Sequence, residues 1–187
     1  MTLSTAHLFL ISGCSGGGKS TLIDALAKAG YAVLQEPGRR IVKGESDPVS
    51  LLLPWNSLEC FAQRALEMAI SDFKQALKMA GPVFFDRGVV DAASALQHST
   101  GSIDLHEAVH KYRYNSTVLV APPWEALFSS DEERRHDFCD ALAEYKRLVQ
   151  TYEKLGYATL ELPKVPVEDR LCFILEAIRA VQAKLGK

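Results

Sequence analysis

The clearest chemistry in the 187-residue sequence lies in eight residues, Gly-Cys-Ser-Gly-Gly-Gly-Lys-Ser at Gly13–Ser20. They satisfy the pattern G-x-x-x-x-G-K-[ST], in which a glycine-rich turn wraps its backbone N–H groups around phosphate oxygens. Gly13, Gly16, Gly17 and Gly18 keep side chains out of that wrap, and the helix that follows points its positive end at the same anion. Cys14 and Ser15 fill variable positions of the loop. Lys19 is expected to reach the β- and γ-phosphates, Ser20 to ligate Mg²⁺, and Thr21 to add a contact to the α-phosphate. The Cys14 thiol could be electropositive and reactive, but filling a variable position is the preferred reading.

Two further charged positions fall where such a loop needs them. Asp86 ends the apolar run Val83-Phe-Phe85, which places a carboxylate at the carboxyl end of a strand, where it can hold Mg²⁺. The competing reading is a turn aspartate that merely ends a strand. Arg87 stands next to it, available to an acceptor substrate. Glu36 follows the apolar run Tyr31–Gln35 in the same way and could take a proton from an attacking hydroxyl, or could be a surface glutamate. Arg39 and Arg40 come directly after. The run Asp131-Glu-Glu-Arg-Arg-His136 reads as a lid over residues 124–137, with Arg134 and Arg135 closing on the triphosphate. Its plainer alternative is a solvated charged face.

The elements that position these residues alternate in type. His7–Ser12, Tyr31–Gln35, Val83–Phe85, Thr117–Val120 and Tyr157–Leu160 read as strands. Helical spacing follows the glycine loop as far as Ala29, starts again at about Ser57, near Val89 and at Phe138, and appears once more from about Glu168. Asp104-x-x-Glu107 resembles a capping box, and Lys43–Leu53, with Gly44 and Pro48, reads as irregular. This alternation predicts a parallel sheet covered on both faces, in one domain spanning 1–187.

Composition limits what the chain can do. A net charge of −2, with 48% hydrophobic and 24% charged residues, gives no broad electrostatic reason to bind nucleic acid or an anionic membrane. Phosphate binding must then come from a local site. Cys14, Cys60, Cys139 and Cys172 show no zinc-ligand spacing, and reduced thiols in a cytoplasmic protein are the simplest reading. No stretch is long enough to span a bilayer. The oligomeric state stays open, a homodimer included.

Absent motifs narrow the class. There is no NKxD, which argues against a Ras-like GTPase and favours ATP over GTP. There is no LSGGQ-like signature, and Asp86-Arg87 stands where ring-forming motors carry Asp-Glu. The combination of GCSGGGKST, LQEPGRR and FFDRGVVDAASAL resembles the nucleoside and nucleotide kinases. Deoxynucleoside kinases carry a Glu-Pro after the second strand, similar to Glu36-Pro37, with the glutamate as base. Thymidylate kinases carry an Asp-Arg after the third strand, similar to Asp86-Arg87. Over nearly the whole chain the sequence resembles a P-loop group of AAA-type ATPases related to the kinase domain of NadR-type nicotinamide riboside kinases. The segments that carry this likeness are ISGCSGGGKSTLIDALAKAGYAV, EPGRRIV, FAQRALE, VFFDRGVVDA, RYN, APPWEALFSSDEERR and LGYATLELP.

The resemblance implies a three-layer αβα P-loop NTPase fold, with a five-stranded parallel sheet in the order 2-3-1-4-5 and a small arginine-bearing lid. It also implies ATP and Mg²⁺ as cofactors and phosphoryl transfer to a small, nucleoside-like acceptor. The alternative is an ATPase or GTPase switch with no small-molecule acceptor. Lys19, Glu36, Arg87, Arg134 and Arg135 are the expected catalytic residues, with Ser20 and Asp86 on the metal. For the acceptor the candidates are Arg40, Trp55, Gln63, Arg87 and Asp91, with Phe61 and the Arg113–Tyr114 pair read as structural. The segment Leu162-Pro163-Lys164 is where a base contact is expected.

Overall fold

The computed structural model describes residues 5–101, 104–128 and 138–185. Five strands, β1 (Leu8–Gly13), β2 (Ala32–Leu34), β3 (Val83–Asp86), β4 (Thr117–Ala121) and β5 (Ala158–Glu161), form one sheet in the order β2-β3-β1-β4-β5. Every neighbouring pair is parallel. A parallel pair cannot be joined by a tight turn, so each connection crosses a face of the sheet and carries a helix.

Alternation along β1 shows how the two faces are filled. Leu8 and Leu10 enter one apolar cluster, with α3 (Leu58–Ala76), α4 (Val89–Thr100) and α6 (Phe138–Lys154). Phe9 and Ile11 enter the other, with α1 (Lys19–Lys28) and α7 (Val167–Leu185). β1 is buried on both sides, which explains why its sequence is an unbroken apolar run and not an alternating one. Phe84 on β3 packs against Phe9 and edge-on against Tyr31 in the second cluster.

Local signals fix the helix starts. The Ser57 side chain caps α3 by accepting from the Cys60 N–H at 3.2 Å. Asp104 does the same for the short α5 (Leu105–Val109), accepting from Glu107 N–H at 3.2 Å. The expected strands and helices are present, with ends shifted by a residue or so. One helix has no counterpart among the sequence expectations: α2 (Pro37–Gly44). Its signal was Pro37 at the first helical position after Glu36, a placement proline favours because its missing N–H would be unsatisfied there anyway. The irregular stretch therefore begins after Gly44 and not at Lys43.

Candidate functional site

At the end of β1 the chain must turn under the neighbouring strand. Gly13 has φ +118°, and a Cβ there would lie 2.2 Å from the Ala121 carbonyl oxygen of β4. Only glycine fits that approach. The loop then enters α1 through Gly18 (φ +74°), which offers no side-chain cap. The first N–H groups of α1 are thus left without a side-chain acceptor, as an anion site at a helix start requires. Lys19 is buried and folded back on the loop, its Nζ donating to the Cys14 carbonyl at 2.6 Å and the Gly13 carbonyl at 3.2 Å. Burial, and then Arg87, push its pKa down, while Asp86 and Glu36 work against them.

Asp86 closes β3 beside the loop, its Oδ2 accepting from Ser20 Oγ at 3.2 Å. Its Oδ1 is buried without a hydrogen-bond partner. Burial and the nearby Glu36 push its carboxyl up to about 6, against the pull of Lys19 and Arg87. An orphaned carboxylate oxygen next to a hydroxyl fits a hard divalent cation. Among the described residues there is no cluster of three or more His, Cys, Asp or Glu side chains. Ser20 and Asp86 could hold such a cation with one or two protein oxygens, leaving its other positions to phosphate and water.

On the other side of the loop stands an ionic chain. Arg87 has a left-handed backbone (φ 61°), uncommon for a residue with a side chain. Its N–H is held by the Ile11 carbonyl at 3.0 Å. Its Nε lies 3.2 Å from Glu36 Oε1, and its Nη1 donates to Glu144 Oε1 at 2.8 Å. Glu36, at the cap of α2, also pairs with Arg39 Nε at 3.4 Å. The second oxygen of Glu144 accepts from the Ser15 N–H at 3.3 Å. Glu36, Arg39 and Arg87 border a cavity of about 160 Å³ lined also by Ser15, Gly16, Gly18, Lys19, Ser20, Thr21 and Leu127.

The structure thus brings Lys19, Ser20, Thr21, Glu36 and Arg87 to one pocket, with Asp86 bonded to Ser20. Other candidates lie elsewhere. Arg40 is turned from the pocket into an ion pair with Asp72 of α3, so of the consecutive arginines it is Arg39 that lines the cavity. Adjacent helical residues point about 100° apart. Asp91 is buried, accepting from Ser12 Oγ at 2.5 Å, Gly88 N–H at 3.0 Å and Tyr152 OH at 2.6 Å; it ties β1, α4 and α6 together and is not on the pocket wall. Gln63 is on the exposed face of α3 with its amide toward Glu67, and Trp55 is partly exposed in the turn-rich segment before α3. Neither borders the cavity. Phe61 is half-buried against the core, its ring beside Gly38. The Arg113 guanidinium stacks on Tyr157, while Tyr114 is buried and its hydroxyl accepts from the Val89 N–H.

Cys14 is buried, and burial pushes its thiol up, the opposite of a reactive thiolate. Arg134 and Arg135 lie outside the described residues. Sequence reasoning missed Glu144 and Arg170. Arg170, on α7, is buried, donates from Nη1 to the Gly17 carbonyl at 3.0 Å, and leaves Nε and Nη2 without partners. Both residues sit on amphipathic helices far from any motif, and no local pattern marks them.

The AAA domain family matches residues 8–170. The chain belongs to that family. No curated protein matches the sequence. Among solved structures, shikimate kinase from Acinetobacter baumannii in complex with shikimate is similar at 14% identity and TM-score 0.60, over 95% of each chain. Deoxyadenosine kinase from M. mycoides is similar at 15% identity and TM-score 0.52 with dCMP and dCDP, covering 93% of this chain and 99% of that one. Its dATP-bound form gives 16% identity and TM-score 0.54, covering 91% and 98%. At such identity the likeness is one of fold, that of the P-loop kinases, with the sheet order observed here. Among the described residues no helix is long and apolar enough to cross a membrane.

Proposed function

We propose that this protein is an ATP- and Mg²⁺-dependent phosphotransferase acting on a hydroxyl of a small, nucleoside-like molecule. The observation that carries this reading is the pocket, where the Glu36 carboxylate and Arg87 guanidinium face the phosphate loop across one cavity. A site that transfers a phosphoryl group needs a carboxylate to orient and deprotonate the incoming hydroxyl.

In this reading the acceptor O–H gives its proton to Glu36 as its oxygen bonds to the γ-phosphorus. The bond to the β–γ bridging oxygen breaks, and ADP leaves. Lys19 swings from the Gly13 and Cys14 carbonyls onto the phosphates, and Arg87 spreads the charge that develops on the equatorial oxygens. Ser20 and Asp86 would hold Mg²⁺, which supplies charge neutralisation on the β- and γ-oxygens. From the sequence alone, Arg134 and Arg135 are proposed to add positive charge against the transferred group.

The charges near Glu36 favour an uncharged acceptor. Arg39 is paired with Glu36, Arg40 with Asp72, and Arg87 with both Glu36 and Glu144. Each of these guanidiniums already faces a carboxylate, and an uncharged acceptor requires none of these pairs to open. The deoxyadenosine kinase and shikimate kinase neighbours lend support, since the names of both describe transfer to small molecules. The AAA domain family favours a second reading, a nucleotide-dependent ATPase or switch. An ATP-consumption screen against nucleosides, their monophosphates, nicotinamide riboside and small polyols separates the two. A stimulated turnover with one acceptor class supports the kinase; tight nucleotide binding with no stimulation by any class gives the switch.

A further inference from the structure

Glu144 lies midway along α6, outside every motif of the sequence, yet it touches both halves of the pocket. Oε1 accepts from Arg87 Nη1 at 2.8 Å and Oε2 from the Ser15 N–H at 3.3 Å, with the side chain only 25% exposed. Burial pushes its carboxyl up, but Arg87 foremost, then Lys19 and the Ser15 amide, more than reverse this and hold it at about 2. It is an anion at neutral pH. A carboxylate that accepts from a loop amide and a guanidinium is bound as two oxygens of a phosphate would be.

Its link to Glu36 runs through Arg87. That guanidinium is also 3.2 Å from Glu36, so Glu144, bonded to the Ser15 N–H, and Glu36 share one cation. A phosphoryl group passing to an acceptor beside Glu36 comes within reach of Arg87, and through Arg87 of the carboxylate on the Ser15 N–H. Glu144 already accepts from the Ser15 N–H and from Arg87 Nη1, and a phosphate oxygen that takes the single Ser15 N–H must compete with it.

We propose that Glu144 holds the place of the transferred phosphoryl group on the phosphate loop, and that a nucleoside triphosphate must displace it whereas a diphosphate need not. Glu144 is then a specificity-determining residue of the donor site. It satisfies Arg87 and the Ser15 amide in the empty pocket and yields them to the terminal phosphate, so that occupancy is communicated to α6. This rests on the proposed function, both for nucleotide binding at the loop and for the acceptor beside Glu36.

The test compares Mg·ADP with the non-hydrolysable Mg·AMPPNP on the wild-type chain and on Glu144→Gln, which keeps the shape and removes the charge. Glu144→Gln should bind AMPPNP about tenfold more tightly while its ADP affinity stays within about twofold. An equal shift for both nucleotides, or weaker AMPPNP binding, overturns the proposal while leaving nucleotide binding intact. A wild-type chain that binds neither nucleotide overturns the nucleotide reading itself, and the proposal with it. Structures of the two wild-type complexes decide the matter if the variant fails to fold. The Glu144 carboxylate should remain on the Ser15 N–H with ADP and be withdrawn with AMPPNP; its retention in both complexes would overturn the idea.

Discussion

Gly13 and Ala121 lie side by side in the β1–β4 register, with the Ala121 carbonyl oxygen 2.2 Å from where a Gly13 Cβ would stand. The first glycine of the phosphate loop is therefore demanded by the sheet as much as by the ligand. Gly13→Ala forces either the strand pair or the loop to move, on top of a left-handed backbone. It should cost roughly 3 kcal/mol or more of stability, measured by urea unfolding without nucleotide. A near-neutral result would show that β4 yields easily and that the loop's first glycine serves the phosphates alone.

Glu36→Gln removes a proton acceptor but keeps the size of the side chain. If Glu36 is the base, kcat with the best acceptor should fall about a hundredfold or more, with MgATP affinity little changed. Equal losses in binding and turnover would instead mean that the lost ion pairs to Arg39 and Arg87 had disordered the pocket.

Lys19 spans the loop's own carbonyls when no ligand is bound. Lys19→Ala leaves those carbonyls and the phosphates without a cation, so triphosphate affinity or turnover should drop by at least about tenfold. Isothermal titration with MgATP, together with steady-state kinetics, checks it. Indifference to the change would remove the phosphate-loop assignment.

Arg170 poses the opposite problem, a buried guanidinium with two unpartnered nitrogens. Burial pushes its pKa down. Replacing it by methionine removes an under-satisfied charge at the expense of one hydrogen bond to Gly17. The nucleotide-free chain should then unfold within about 1 kcal/mol of wild type or later, while nucleotide protection in thermal shift diminishes because the loop has lost its fastening. A large loss of stability without ligand would show that the guanidinium is better satisfied than its geometry indicates.

The strands, and the candidate residues at their carboxyl ends, were legible in the sequence for a physical reason, while the strand order came from the family resemblance. A parallel sheet buried on both faces writes itself as apolar runs such as Leu8–Ile11 and Val83–Phe85, and the residues at the carboxyl ends of those runs, Lys19, Glu36 and Asp86, inherit their place from strand order. The acceptor half was less legible. Choosing Arg39 over Arg40 needs the phase of α2, a helix that only Pro37 announces. Glu144 and Arg170 reach the loop from helices whose docking angle no local pattern records, and Asp91, an acceptor candidate by its place near a strand end, is instead buried against Ser12 and Tyr152.

The ion pair between Glu144 and Arg87 also sets how the chain responds to acid. The Glu144 carboxyl stands at about 2 when folded, against an ordinary 4.5. Between these values the unfolded chain binds a proton that the folded chain refuses. Stability from this group is therefore complete above pH 4.5 and is lost as pH falls toward 2. The shift corresponds to a contribution on the order of 3 kcal/mol. Other carboxylates titrate in the same window, so the quantity to read is the difference between wild type and Glu144→Gln in urea unfolding at several pH values. Wild type should be the more stable at pH 7, and the gap should narrow steadily below the ordinary glutamate pKa. A gap that is the same at neutral and acid pH would mean that Glu144 supports the fold through packing, and that Arg87 owes its place in the pocket to Glu36 alone.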